Sequence, residues 1–450
     1  MNDSVRDSFK SKFGAVAALA GSAVGLGNIW KFPYEAGNNG GGAFLLVYVF
    51  FTVAIGLPVM LSEFALGRRS QKNALGTFKL LAPGTKWYYF GLLSIIASSC
   101  ILAFYSTISG WTLEYVRLAL VNAFHGQSAA DMTDSFNHFI SHPYKAVGWQ
   151  IGFMFLSGAI VLAGVQKGIE RYTKMMMPLL FVIIIAISIR SCTLEGAGEG
   201  LKFLFYPKFS ELTNQGILSA LGQAFFSLSI GMGVLLTYAS YLRKDNNLTH
   251  ISLQVITTDT LVALLAGIAI LPAVFAFNMD PQAGPGLVFL TLPKVFQSLP
   301  AGQVWAILFF ILLTFAALTS AISLLEVIVA YLVEEKRMSR IKSTIITTLG
   351  ILFLGIPCTL SFGPLSHLRL FGLSLFDLFD FVSSNLLLPL GGILLCIFAG
   401  WRLDQSILHS ELSNNGTIKL HFFRLYIFIL KYVAPAGILL IFLNVLGIIG

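Results

Sequence analysis

Residues 21–33 read GSAVGLGNIWKFP. An apolar stretch of this kind could coil straight through a bilayer, but glycines at 21, 25 and 27 fall within it, and Asn28, Lys31 and Pro33 follow. Glycine weakens a helix, and proline removes one rung of its hydrogen-bond ladder. Carbonyls freed at membrane depth are tolerated only where they line a cavity or bind something. Close helix packing through small residues is one reading, yet packing does not require Asn28 and Lys31 alongside. An unwound binding segment is the other, and the rest of the chain bears on the choice.

The 450 residues are 56% hydrophobic and only 11% charged, with a mean hydropathy of +0.80. Soluble domains are about 25% charged, and no water-soluble fold has interior enough for so much apolar surface. This excludes a cytosolic enzyme, a nucleic-acid binder and a disordered chain, and makes the bilayer the solvent. Apolar runs near 13–37, 41–66, 87–123, 147–165, 174–190, 216–242, 251–278, 302–333, 343–361, 371–400 and 425–449 predict eleven membrane helices. No segment reads as a separate soluble domain. Residues 1–14 lack a short apolar core with a small-residue cleavage site, so the first run is expected to remain as a span. Cys100, Cys192, Cys358 and Cys396 form neither a disulfide framework nor a zinc spacing.

Lys and Arg set the direction. With the N-terminus inside, twenty of the 29 fall in cytoplasmic segments, six (Lys145, Arg190, Lys202, Lys208, Lys294 and Arg369) fall outside, and Lys31, Arg117 and Lys431 lie within spans. This predicts a multi-pass protein of the cell inner (plasma) membrane with a cytoplasmic N-terminus. An odd number of spans then puts the C-terminus on the extracytoplasmic side. The net charge of +8 reads as a topology signal facing anionic lipid rather than a docking site for nucleic acid.

The sixth run repeats the pattern of the first. GQAFFSLSIGMGVLLTYASY, from Gly222, carries Gly231 and Gly233 mid-span, flanked by Ser227 and Ser229. Runs 1–5 and 6–10 then make two halves that start on opposite sides of the membrane. Residues 1–191 form the first, 192–400 the second, and 401–450 supply a cytoplasmic loop and the eleventh helix. Paired interruptions in inverted halves point to a transporter site at the bilayer midplane. Half-helix N-termini would face a carboxylate there, and freed carbonyls a cation. Ionisable residues within spans are costly and usually functional; the candidates are Glu63, Asp259, Glu326 and Asp380. By hydropathy alone Asp259 also reads as interfacial, and Thr319 and Ser320 as hydroxyls bonding back to their own helix.

Taken in order, GSAVGLGNIWKFP (21–33), NGGGAF (39–44), FFSLSIGMG (225–233) and ALTSAIS (317–323) resemble the neurotransmitter:sodium symporter family, in its bacterial amino-acid branch. The resemblance implies an all-α membrane protein of leucine-transporter-like fold. It would have eleven transmembrane helices, with two inverted five-helix repeats plus one extra helix, and helices 1 and 6 unwound at mid-membrane. It implies no enzyme. The expected function is sodium-coupled symport of a hydrophobic or aromatic amino acid by alternating access, with two Na+ ions. One Na+ would meet the Ala23 backbone, the side chains of Asn28, Ser227 and Asp259, and the substrate carboxylate. A second would meet carbonyls of Gly21, Val24 and Ala316 and the hydroxyls of Thr319 and Ser320. All-oxygen ligation suits a hard cation.

The same resemblance gives Tyr105 and the N–H groups of Leu26 and Gly27 to the substrate carboxylate. Carbonyls near Ala23, Phe226 and Ser229 would take its amine. Ile101, Tyr105, Phe226, Met232, Ser320 and Leu324 would line the side-chain pocket, with Phe226 as its lid. Lys31, where relatives often carry Arg, would form an outer gate with Gln223 and Asp380; Asp377 is a rival acid. Arg6 would pair with Glu334 near Phe9 and Tyr241 as the inner gate. Gly168 and Pro178 resemble a motif that lets helix 5 unwind.

Departures sharpen the expectation. Tyr48, Gln223 and Ser227 resemble chloride ligands of animal relatives, but Ala263 offers no hydroxyl. Asp259 would supply the negative charge itself, so chloride-independent transport is expected. Met232 stands where an aromatic is common and softens the pocket, which admits bulky aromatics such as tryptophan. An amino-acid sensor on the same fold and an ion channel with a carbonyl filter are the alternative readings. Expected partners are the amino acid and the lipid bilayer, without nucleic acid, and a monomer is expected to suffice for transport.

Overall fold

The computed structural model describes residues 7–277, 279 and 287–448. Among these, regular structure is helical, and β-pairing is limited to the isolated bridges Gly41–Pro207 and Leu370–Leu373. In chain order the principal helices are α1 (Lys12–Ala23), α2 (Gly27–Asn38), α3 (Gly42–Ser70), α4 (Tyr88–Leu120), α5 (Pro143–Leu162), α6 (Val165–Cys192) and α7 (Asn214–Ser227). They continue as α8 (Val234–Ala239), α9 (Leu248–Ala276), α10 (Gly302–Glu335), α11 (Arg340–Leu360), α12 (Leu375–Arg402) and α13 (Phe423–Asn444).

Nine of these are long and apolar enough to cross a membrane singly among the described residues. The first apolar run becomes two helices, α1 and α2, bent by 51°. The sixth becomes α7 and α8, of 14 and 6 residues, separated by residues 228–233. The first interruption lies at Val24–Leu26 rather than at Pro33. Val24 is extended, with φ −69° and ψ 112°. Pro33 instead lies within α2, just after a wide π-type turn over Gly27–Lys31, where the ladder tolerates a residue without a donor. The fifth run also starts earlier than hydropathy suggested, at Val165.

Helices α4 and α10 run against each other more extensively than any other pair, and α5 and α11 close around them. Gln150 fastens that group. Its amide donates to the Ser106 hydroxyl at 2.8 Å and accepts from Thr359 at 2.8 Å, and Thr359 meets Thr107 at 2.8 Å. In lipid, where apolar contact with a neighbour gains little over contact with a tail, such bonds and small residues hold helices together. Gly110 is one of those residues: a Cβ there would stand 2.8 Å from the Gln150 backbone nitrogen. The remaining helices assemble beside this group, α3 on α7 and α8, and α1 on α6 and α9.

Large apolar side chains, Phe50, Phe155, Val182, Phe353 and Leu425 among them, are exposed. A soluble monomer rarely tolerates such a coat; here it is the surface that lipid wets. At one end of the assembly Arg68 is fully buried and bound from several sides. Its Nε donates to Glu411 Oε2 at 2.8 Å, and its other nitrogens donate to the carbonyls of Asn246 and Glu411. Lys244 and Arg69 lie 3.5 and 3.7 Å from the same carboxylate. The short helix Gln405–Leu412 is thereby bolted to α3 and to the turn before α9.

Candidate functional site

The two interruptions face each other, and side chains from distant helices satisfy their loosened backbone. Leu26 N–H donates to the Tyr105 hydroxyl of α4 at 3.3 Å. Gly25 N–H donates to Asn28 Oδ1 at 3.0 Å. The Val24 carbonyl accepts from Thr319 at 3.2 Å and from Ser320 at 3.4 Å, both on α10. Gly25 admits that approach, because the Ser320 hydroxyl occupies the space a Cβ would need. Buried backbone polar groups need partners, and here the partners are other helices' hydroxyls and amides.

The second interruption takes left-handed backbone at Ser229, Gly231 and Gly233, with φ of 55°, 81° and 74°. Gly231 N–H donates to Glu63 Oε1 of α3 at 2.7 Å. The Met232 carbonyl accepts from Ser98 of α4 at 2.7 Å. Ser229 ties this strand of chain to the first break, donating to the Ser22 carbonyl at 2.9 Å.

Beside the breaks, three expected ligands converge. Asn28 Nδ2 donates to Asp259 Oδ1 at 2.7 Å and to the Ser227 hydroxyl at 2.9 Å. Ser227 lies 2.8 and 2.9 Å from the two Asp259 oxygens, and Tyr48 donates to Asp259 Oδ2 at 3.2 Å. Asp259 is fully buried in α9, which removes the interfacial reading. A wholly buried carboxylate needs donors or a cation, and this cluster of amide, hydroxyl and carboxylate can present oxygens to one. Thr319 bonds both to Val24 across the interface, at 3.2 Å, and back to Ala316 of its own helix, at 3.0 Å. Gly21 packs against Thr319, 3.4 Å from where its Cβ would lie.

A small cavity of about 30 Å³ lies at the centre. Ser22, Ala23, Gly25, Leu26, Gly27, Ile101, Tyr105, Phe226, Ser227, Ser229, Met232, Ser320, Ser323 and Leu324 line it. The expected substrate residues are therefore gathered in one place. Phe226 also lines a second cavity of about 240 Å³ with Lys31, Glu35 and Gln223, and so borders both.

The expected outer gate is arranged differently. Lys31 Nζ stands 4.6 Å over the Phe226 ring and is not brought to Asp380, whose Oδ1 accepts from Ser384 at 2.8 Å. Asp377 is taken up with capping, its Oδ2 2.7 Å from Ser374 Oγ. Gln223 donates to the Gly27 carbonyl at 2.9 Å. Arg6 lies outside the described residues. Glu334 accepts from the backbone and side chain of Asn73 at 2.8 and 2.9 Å. The acid that Tyr241 meets is Glu326, at 2.7 Å, and Arg340 holds the same carboxylate at 2.6 Å. Phe9 packs edge-on against Tyr238 and Tyr241. Gly168 lies in the wide-turned stretch Val165–Glu170 and Pro178 within α6. Sequence reasoning left Ser22, Ser98 and Ser323 out of the site; only their serine character in otherwise apolar runs could have flagged them.

A sequence profile described as Sodium:neurotransmitter symporter family matches residues 6–138 and 117–449. The uncharacterized sodium-dependent transporter YhdH of Bacillus subtilis (strain 168) is 44% identical over 439 residues, covering 98% of this chain and 97% of that protein. An uncharacterized sodium-dependent transporter of Haemophilus influenzae is 38% identical over 455 residues, covering 98% and 99%. The crystal structure of MhsT in complex with L-phenylalanine is similar with a TM-score of 0.91 at 45% identity, covering 98% of this chain and 100% of that one. The Bacillus and Haemophilus relatives are sodium-dependent transporters rather than enzymes, and the chain belongs to the sodium:neurotransmitter symporter family.

Proposed function

We propose that this protein imports a hydrophobic or aromatic amino acid by symport with Na+, through alternating access. The observation that carries the reading is the convergence of two interrupted helices on Tyr105, with the Asn28–Ser227–Asp259 cluster beside them. The L-phenylalanine bound by the similar MhsT supports an amino-acid substrate. In this reading eleven spans form two inverted repeats, 1–191 and 192–400, with 401–450 appended. The N-terminus is cytoplasmic, and the bilayer is the cell's inner membrane.

The residues divide the work as follows. Asn28, Ser227, Asp259 and the Ala23 carbonyl hold one Na+, with the substrate carboxylate completing its shell. Asn28 must turn its amide oxygen toward the ion, which frees Gly25 N–H. The Gly21, Val24 and Ala316 carbonyls with Thr319 and Ser320 hold a second Na+, whose pull on the hydroxyl oxygens turns their protons away from Val24. The N–H groups of Leu26 and Gly27, together with the Tyr105 hydroxyl, receive the substrate carboxylate. Ile101, Phe226, Met232 and Leu324 take its side chain, and the central cavity of about 30 Å³ widens to do so. Because the ion and the substrate share a shell, each raises the other's affinity.

Asp259 accepts from Tyr48 and Ser227, two of the residues that resemble chloride ligands. A fixed carboxylate there supports transport without chloride. Each inward charge gains about 2.3 kcal/mol per 100 mV. Two such charges drive roughly three decades of accumulation before the sodium gradient adds its share.

Uptake of labelled amino acids into proteoliposomes, with sodium inside or outside and the membrane potential set, tests the proposal. Accumulation that needs inward sodium and responds to potential is expected. Tight binding without uptake would instead favour a sensor, and large unitary currents a channel.

A further inference from the structure

Helix α1 starts behind Ser11, whose hydroxyl accepts from the Gly14 N–H at 3.0 Å. In a capping box, an acidic side chain three residues beyond the cap reaches back to the cap's own N–H. Here that third position is Gly14, which has no side chain. The carboxylate comes instead from Glu170 of α6. It accepts from Ser11 N–H at 3.1 Å, from the Ser11 hydroxyl at 2.9 Å and from Lys10 N–H at 2.6 Å. Gly14 makes the room, because a Cβ there would overlap the Glu170 side chain. Lys174 holds the same carboxylate at 2.7 Å, and Gln166 donates to the Ser8 carbonyl at 2.9 Å. A negative charge at this end also favours the helix dipole.

Glu170 itself closes an irregular piece of backbone. The wide-turned stretch Val165–Glu170 begins after Gly164, whose φ is 89°. The group that completes the cap of α1 is therefore mounted on the least regular part of α6.

We propose that Glu170 is a positioning residue shared by two helices, supplying in trans the missing half of the α1 capping box, so that the first turn of α1 and the opening turns of α6 loosen together. If 165–170 opens, the carboxylate leaves and the amides of Lys10 and Ser11 lose their acceptor. If α1 withdraws, Glu170 keeps only Lys174 among these partners. Such a coupling is reciprocal by linkage. Its use rests on the alternating-access reading, for it joins movement of α1 to movement of α6.

Hydrogen–deuterium exchange, read by mass spectrometry on the full chain in lipid nanodiscs, tests the coupling. Glu170→Ala should speed exchange at residues 10–16 by roughly tenfold, the size of a lost cap. Glu170→Gln, which keeps an acceptor oxygen, should restore part of the protection. The decisive arm runs the other way. Ser11→Ala, which removes the α1 cap and adds no atom against Glu170, should speed exchange over 165–172. A purely local contact would not show this reciprocity. Faster exchange confined to the mutated helix, from either side, overturns the proposal. The variants are compared without sodium or amino acid, so the result stands or falls independently of the uptake assay.

Discussion

Asn28 of α2 and Asp259 of α9 meet at 2.7 Å, and both side chains are fully buried. The second half of the broken helix is thus tied to a carboxylate whose other oxygen is engaged by Tyr48 and Ser227. Asp259→Asn keeps the shape and removes the charge. Losing a charged partner in a buried site costs about 1.5–3 kcal/mol, roughly ten- to a hundredfold in affinity. Apparent sodium affinity should fall by that factor, and substrate affinity should fall with it. Sodium titrations of labelled-substrate binding check this; if both affinities stay unchanged, the shared shell is wrong.

Tyr105→Phe should separate the two ligands. Its hydroxyl reaches Leu26 N–H but belongs to neither expected sodium shell. Substrate binding should weaken by roughly tenfold or more while sodium-dependent protection of the site persists. Calorimetry with the amino acid, run beside sodium titrations, reads both.

Replacing external chloride with gluconate at constant sodium should leave uptake unchanged. Asp259 occupies the company of Tyr48 and Ser227, and Ala263 packs in an apolar cluster with Phe32 and Tyr48. A collapse of uptake in gluconate would show that an external anion is needed after all.

Neutral apolar amino acids should compete for uptake, and lysine and glutamate should fail at a hundredfold excess. Ile101, Phe226, Met232 and Leu324 offer a charged side chain no partner, and desolvating an unpaired charge is prohibitive. A competition screen across the twenty amino acids gives the order directly.

Glu411→Gln should destabilise the fold more than its distance from the site suggests. Arg68 is fully buried, and Glu411 is its charge partner. Breaking a buried pair from one side costs about 3–5 kcal/mol, whereas replacing both partners by apolar groups of similar volume is far milder. Thermal unfolding in detergent should show a lowered midpoint for the single variant. Arg68→Met combined with Glu411→Met should stay destabilised, because the carbonyls of Asn246 and Glu411 then lose their donor.

Much of the architecture was legible because lipid imposes a blunt rule, that a spanning helix must be apolar for about 20 residues. Gly25 and Gly231 likewise announced both interruptions. Where the first one falls was less legible, because the choice of Val24–Leu26 over Pro33 depends on Tyr105, Thr319 and Ser320 arriving from other helices. Asp259 looked interfacial by hydropathy, since its burial is created only when α2, α3 and α7 close over it. Ser98 serves a backbone carbonyl 134 positions away, and no local pattern announces such a partner. The family resemblance suggested Lys31 and Asp380 as a pair, yet Asp380 is satisfied one turn along by Ser384, and Lys31 rests on the Phe226 ring.

The kink between α1 and α2 has a mechanical corollary. The 12-residue arm before it is about 18 Å long at 1.5 Å per residue. A rotation of 10° about the joint therefore sweeps its far tip by about 3 Å. A few backbone torsions at Val24–Leu26 can thus crank open a passage of molecular width while α2 keeps its grip on Asp259.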